Sequence, residues 1–244
     1  MAEKLDLLAF GVHPDDVELG CSGSILVTIS EGKKVGIVDL TRGELGTRGS
    51  AEIRKTEAEN AAKVLGVTTR ENLCIADGFF ENDEVNKRKV IQVLRKFKPE
   101  IVLCNAPEDR HPDHGRSSKL VSDACFLSGL RKIETMEDGE PQEAWRPKYV
   151  FFYLQDRFLQ PDFVVDISDH MEKKIASVLS YTTQFYNPEL NEPQTYISSP
   201  EFLETVRARA MMLGKRIGVK FAEGYISEKM IGIKSFDAII QQST

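Results

Sequence analysis

Leu5-Asp6-Leu7-Leu8-Ala9-Phe10-Gly11-Val12 runs directly into His13-Pro14-Asp15-Asp16-Val17-Glu18. The first stretch is apolar apart from Asp6 and has the length of a buried strand. From Glu18 to Ser30 the apolar residues change to a helical period. A strand without polar alternation needs cover on both faces, which is the situation inside a parallel sheet. A strand, a polar turn and a helix in that order form the opening unit of such a sheet.

Outward from this unit the pattern repeats. Val35 to Leu40 is strand-like, and the polar segment Thr41 to Ser50 leads into a helix from about Ala51 to Leu65 that Gly66 stops. A short strand near Leu73 to Ile75 precedes a helix from about Asp83 to Phe97, ended by Pro99. Ile101 to Asn105 is the next buried strand, and a helix from about Gly115 to Leu130 follows it. The alternation predicts an α/β fold: a Rossmann-like, mostly parallel sheet flanked by helices. After about residue 134 the order fades. Residues 134–147 read as loop, Tyr149 to Leu154 and Phe163 to Ile167 as strands, and Met171 to Gln184 and Pro200 to Ile217 as helices. Tyr186 to Ser199 has no period. One domain over residues 1–244 is expected, with the irregular part packed on the same core.

Hydrophobic residues make up 41% of the chain and charged residues 29%, as in a soluble globular protein. A net charge of −6 argues against wholesale nucleic-acid binding. No window approaches the roughly 18 apolar residues of a membrane helix. The opening Met-Ala-Glu-Lys-Leu-Asp lacks the apolar core of a secretory leader, so a cytoplasmic location is expected. Cys21, Cys74, Cys104 and Cys125 form no C-x-x-C pair and read mostly as core or near-core thiols.

In open parallel sheets, ligands bind outside the carboxyl ends of the strands. Residues 13–16, 41–50 and 106–114 are unusual loops at such ends. Three of the four histidines lie in two clusters there, His13-Pro14-Asp15-Asp16 and Asp109-Arg110-His111-Pro112-Asp113-His114. Imidazole and carboxylate are ligands zinc accepts readily, and a catalytic zinc takes three protein ligands while leaving a position for water. Each proline restrains the preceding histidine to extended geometry and so aims its ring. Of Asp15 and Asp16, one can ligate while the other faces water as a base. Taken singly, His-Pro is an ordinary loop and Asp-Asp an ordinary helix cap. Found together, each after a buried strand, they point to a metal site. His170, beside Asp169 at a helix start, reads as a surface or capping residue.

The paired motifs His-Pro-Asp-Asp and His-Pro-Asp-His resemble the LmbE-like, PIG-L-type family of zinc-dependent deacetylases acting on N-acetylglucosaminyl compounds. The resemblance spans about Leu5 to residue 230. It implies one Zn²⁺ held by His13, Asp16 and His114, with Fe²⁺, Mn²⁺ or Co²⁺ as other candidates. It implies Asp15 as general base and His111 as the group stabilising the intermediate or leaving group, oriented by Asp113. Thr41-Arg42-Gly43-Glu44-Leu45-Gly46-Thr47-Arg48-Gly49, with Arg54, resembles the branch that deacetylates N-acetylglucosaminyl malate in bacillithiol biosynthesis. Arg meets carboxylates bidentately, so Arg48 and Arg54, together with Glu44, are the expected substrate-binding residues. Glu57 and Glu59 on the same helix read as a solvated face. Tyr196 matches, by position alone, a loop tyrosine that helps hold the oxyanion. The resemblance also implies a small aminosugar substrate and a homo-oligomer, a trimer or hexamer.

Two other functions compete. An amidase for S-conjugated glucosaminyl thiols would use identical catalytic residues. A non-catalytic dinucleotide- or sugar-binding module belongs to another class. The turn Gly11-Val12-His13-Pro14-Asp15-Asp16 lacks G-x-G-x-x-G and puts two carboxylates where a pyrophosphate would sit. A silent sugar binder would also be expected to have lost a ligand or the base, and every one of these residues is present.

Overall fold

β1 (Leu7–Gly11) is buried along its whole length in the computed structural model, which describes residues 3–240. It pairs in parallel with β2 (Val35–Thr41) on one side and β4 (Ile101–Asn105) on the other. β3 (Thr69–Ile75) extends the sheet in parallel beyond β2, and β7 (Tyr149–Tyr153) extends it beyond β4. β9 (Ala222–Ser227) and β8 (Phe163–Asp166) complete it antiparallel, giving the order β3-β2-β1-β4-β7-β9-β8. The mostly parallel α/β sheet is therefore present, with the order reversing between β1 and β4. A separate two-residue hairpin, β5 (Met136–Glu137) with β6 (Glu140–Pro141), lies within the stretch read as loop.

The alternation of side chains along β1 divides the core between two faces. Leu8, Phe10 and Val12 pack with residues of α3 (Glu84–Phe97) and α4 (Pro112–Leu127). Leu7 and Ala9 pack against Val17, Cys21 and Ile25 of α1 (Asp16–Ser30). α2 (Ala51–Leu65), α5 (Met171–Val178) and α6 (Phe202–Ile217) share a third cluster that contains Ala58, Ala61, Ile175 and Val206. Cys21, Cys104 and Cys125 are buried thiols and Cys74 is exposed. Among the described residues, no helix is long and apolar enough to cross a membrane.

Local chemistry sets the element ends. Ser50 Oγ accepts from the Ile53 amide at 3.3 Å to start α2, and Gly66 ends it at a φ of 79° that glycine adopts without penalty. α4 starts earlier than its periodicity predicts, because Pro112 enters at the first turn and His111 caps it. α5 stops at Val178 rather than near Gln184: the following residues continue as turns, and Glu57 holds Thr182 and Thr183. The Glu57 carboxylate accepts from the Thr183 amide at 2.7 Å and from the Thr182 and Thr183 hydroxyls. Glu57 is thus a buried clamp between α2 and this turn, a correction to its reading as a solvated charge.

A buried ion pair is threaded into α1. Lys174 Nζ donates to the carbonyls of Glu18 and Leu19 at 2.9 and 2.8 Å and to Glu223 Oε1 at 2.8 Å. Glu223 in turn accepts from the amides of Gly23 and Ser24 at 2.9 and 2.7 Å. β9 and α5 thereby hold the helix whose first residue is Asp16.

Candidate metal centre and catalytic cleft

The two histidine clusters meet where the strand order reverses, the place an open parallel sheet offers a ligand. Asn105, the last residue of β4, ties the two ends together. Its Oδ1 accepts from the Val12 amide and the Ser117 hydroxyl, both at 3.0 Å, and its Nδ2 donates to Asp16 Oδ2 at 3.1 Å. Asp16 also accepts from the His13 amide at 2.9 Å and from Gln155 Nε2 at 2.8 Å.

Each of two imidazoles shows one ring nitrogen to a supporting carboxylate and the other to Asp16. His114 Nδ1 lies 2.7 Å from Asp109 Oδ2, and its Nε2 lies 3.2 Å from Asp16 Oδ1. His13 Nε2 lies 3.0 Å from Asp77 Oδ1 and 3.6 Å from Asp113 Oδ2, and its Nδ1 lies 3.7 Å from Asp16 Oδ2. A carboxylate behind a histidine fixes its tautomer and raises its basicity, the usual support of a metal ligand. Against the burial that alone would lower it, hydrogen bonds to Asp113 and Asp77 raise His13 to about 9. His114 rises to about 10 against its burial, through the charge of Asp16 and the hydrogen bond to Asp109. Despite its own burial, Asp16 is held well below the ordinary carboxylate range by His114 and His13. A buried set of imidazoles that keeps positive charge among carboxylates fits a divalent cation, which supplies the same charge. One donor atom each of His13, His111 and His114 also falls within 4.8 Å of the others, as do those of His13, Asp77 and Asp113.

Asp15 departs from ordinary geometry. Its φ is 124°, a region non-glycine residues seldom enter. Burial pushes its carboxyl up to about 7, against the opposing charge of Arg54. Arg54 Nη2 donates to Asp15 Oδ2 at 3.1 Å and to the Pro14 carbonyl at 2.5 Å, and Nη1 donates to the Gly43 carbonyl at 3.4 Å. His111 caps α4, its Nδ1 accepting from the Asp113 amide at 3.3 Å. That bond leaves the proton of a neutral ring on Nε2. Burial and the neighbouring His13 and His114 charges lower the His111 pKa.

A cleft of about 320 Å³ is lined by His13, Asp15, Asp16, His111 and His114 together with Arg54 and Asp77. A larger cavity of about 740 Å³, between β8, α6 and the C-terminal stretch, has no histidine in its lining. The sequence-derived residues divide accordingly. The carboxylate of Asp113, expected to orient His111, turns instead towards His13 and lies 2.8 Å from Arg116 Nη1. Glu44 holds the Asp77 loop, its Oε1 accepting from the Asp77 amide at 3.2 Å. Arg48 is paired with Glu192 at 3.4 Å and does not line the cleft. Tyr196 also stands outside the lining, 59% exposed, with the Arg110 guanidinium 4.4 Å from its ring centre. His170 is half-buried and makes no side-chain cap, away from the cleft. Asp77, Asp109, Asn105 and Gln155 are the site residues that the sequence reading leaves unassigned. Asp109 was within reach, since it opens the second histidine cluster. Asp77 follows a strand whose loop carries no histidine, and nothing local marks it.

Residues 8–125 match the model of the PIG-L family, described as GlcNAc-PI de-N-acetylase. The diacetylchitobiose deacetylase of Thermococcus kodakarensis is 30% identical over 230 residues, covering 89% of this chain and 81% of its own. The crystal structure of the conserved protein TT1542 from Thermus thermophilus superposes with a TM-score of 0.83 at 35% identity, covering 94% of this chain and 98% of that one. N,N'-diacetylchitobiose deacetylase from Pyrococcus horikoshii gives a TM-score of 0.74 at 26% identity, over 91% of this chain and 82% of that one.

Proposed function

Because the chain belongs to the PIG-L family of amide-hydrolysing deacetylases, we propose that it removes the acetyl group from an N-acetylglucosaminyl compound, using a divalent cation held by His13, Asp16 and His114. The observation that carries this reading is the pairing at the head of α1. Asp16 is ionised and faces a ring nitrogen of each histidine, while its neighbour Asp15 is free of them and titrates near neutrality. The grouping of three imidazoles is the rival ligand set. His111 is the weaker candidate because its Nδ1 already serves the Asp113 amide. Zinc is the proposed metal, on the strength of the imidazole and carboxylate donors. When bound, the cation polarises the acetamide carbonyl and makes a water acidic enough to attack near pH 7.

The residues account for the rest of the reaction. Asp15 takes a proton from the attacking water as the new C–O bond forms. A carboxylate with a pKa near the working pH is matched to that task and to the reverse one. It returns the proton to the nitrogen as the C–N bond breaks, releasing acetate and the free amine. Neutral His111 directs its Nε2 proton to the developing oxyanion. Asp77 and Asp109 hold the ligating rings in register.

For the aglycone, N-acetylglucosaminyl malate rests on the arginines beside the cleft. A second aminosugar, as in the diacetylchitobiose deacetylases, is favoured by the engagement of those arginines: Arg48 is held by Glu192 and Arg54 by Asp15 and two carbonyls. A trimeric or hexameric assembly is part of the same proposal and rests on the family resemblance alone. Mass spectrometry should follow acetate release from both glycosides, and release of the glucosaminyl amine from an S-conjugated glucosaminyl thiol, with and without chelator. Metal-dependent release of acetate from at least one N-acetylglucosaminyl glycoside is expected. Release from neither glycoside with metal supplied, or cleavage of the S-conjugate alone, contradicts the reading.

A further inference from the structure

We propose that Phe79 and Leu45 form an apolar shelf at the rim of the cleft for the face of a second pyranose ring, so that the substrate is a short N-acetylglucosaminyl oligosaccharide. The inference rests on the deacetylase reading above and specifies its substrate.

Phe79 is 84% exposed and Leu45 is 61% exposed, yet both line the same cleft as His13 and His111. Neither sits on a loose loop. Asp77-Gly78-Phe79 is a tight turn in which the Phe79 amide donates to the Asp77 carbonyl at 2.8 Å, and Gly78 has a φ of 74°. The Gly78 amide donates to Asp113 Oδ2 at 3.0 Å, and its carbonyl accepts from Arg116 at 2.6 Å. The Leu45 amide donates to Asp77 Oδ2 at 3.0 Å. A Cβ on Gly78 would come 2.9 Å from Leu45 Cδ1, so the leucine lies directly over this glycine. The carboxylates that support His13 thus also fix the two apolar side chains. An aromatic ring held in water on a rigid turn loses the free energy of burial until something covers it.

The occupant follows from its neighbours. A cleft of about 320 Å³ is at the small end of ligand pockets, room for about one sugar ring, so the next unit emerges at the rim. A pyranose ring presents a face of C–H groups that packs on an aromatic ring. A malyl group presents two carboxylates and no such face. The cations around the cleft are already engaged: Arg116 with the Gly78 carbonyl and Asp113, Arg110 with Asp156, Arg48 with Glu192 and Arg54 with Asp15.

The test uses the full-length, metal-loaded protein with N,N'-diacetylchitobiose, N-acetylglucosamine and N-acetylglucosaminyl malate. The wild type is expected to prefer the disaccharide. Phe79→Ala should lower the ratio of kcat/KM for disaccharide over monosaccharide roughly 10-fold, mainly through KM, while Phe79→Trp should keep it. An unchanged ratio in Phe79→Ala, or a wild type that prefers the malyl compound, overturns the shelf while leaving the deacetylase reading intact. A wild type that releases acetate from none of the three overturns both.

Discussion

Asp15 holds a φ of 124°, while Gly11, four residues earlier, stays in the register of β1. A residue in such a conformation costs about 1–3 kcal/mol, and the surroundings must supply it. Here Arg54 grips both the Pro14 carbonyl and the Asp15 carboxylate, and the Asp16 amide donates to the His13 carbonyl at 3.2 Å. The bend turns two adjacent carboxylates in different directions, one to the histidines and one to the cleft. Sequence alone shows that adjacent aspartates ought to diverge. Which one faces the histidines depends on Asn105 and Gln155, donors to Asp16 brought from β4 and from just beyond β7, and no local pattern reports them. The histidines carry a prediction of their own. Their pKa values of about 9 and 10 lie above the ordinary 6.5. Their contribution to stability is therefore complete below about pH 6.5 and is lost as pH rises through 9 to 10. Metal-free protein should show a Tm that falls across this range by scanning calorimetry. His114→Ala should flatten the fall, and a metal-free Tm independent of pH from 7 to 10 would contradict the assignment.

At the scale of elements, β1, β2, β4 and β7 were readable because they are largely buried and mostly apolar. β3, with Thr69, Arg70, Glu71 and Asn72 only partly buried or exposed, was read only at its last three residues. β9 was not read, since Ala222-Glu223-Gly224-Tyr225-Ile226-Ser227 mixes a buried Glu, a Gly and a Tyr with no apolar run. Its Glu223 is the reason it belongs in the sheet beside α1. The Lys174–Glu223 pair meets both the Leu19 carbonyl and the Gly23 amide, joining α5 and β9 to α1. Lys174 is 2% exposed, so Lys174→Met leaves a buried carboxylate without its cation. A loss of about 3–5 kcal/mol is expected on denaturant unfolding. The Lys174→Met/Glu223→Gln double variant should cost less than the sum of the single changes. Strict additivity would show that the two side chains act independently.

Across the whole molecule, the site is a product of topology. The chain builds β1, β2 and β3 to one side and returns through β4 to the other, so that residues some 100 positions apart flank one crevice. The location of the cleft was legible from strand ends and histidines, because that rule depends only on the order of elements. Its lining was less so. Arg48 looked like a ligand contact and serves Glu192, whereas Phe79 had no motif to mark it and stands at the rim. The central claim is a division of labour at this crevice, with His13, Asp16 and His114 for the metal and Asp15 for the proton. It is tested most directly by measuring bound zinc and acetate release together in purified Asp15→Asn. The account predicts zinc bound as in the wild type with turnover lowered about 10²–10⁴-fold. Full turnover with zinc in place, or loss of the zinc itself, would contradict it.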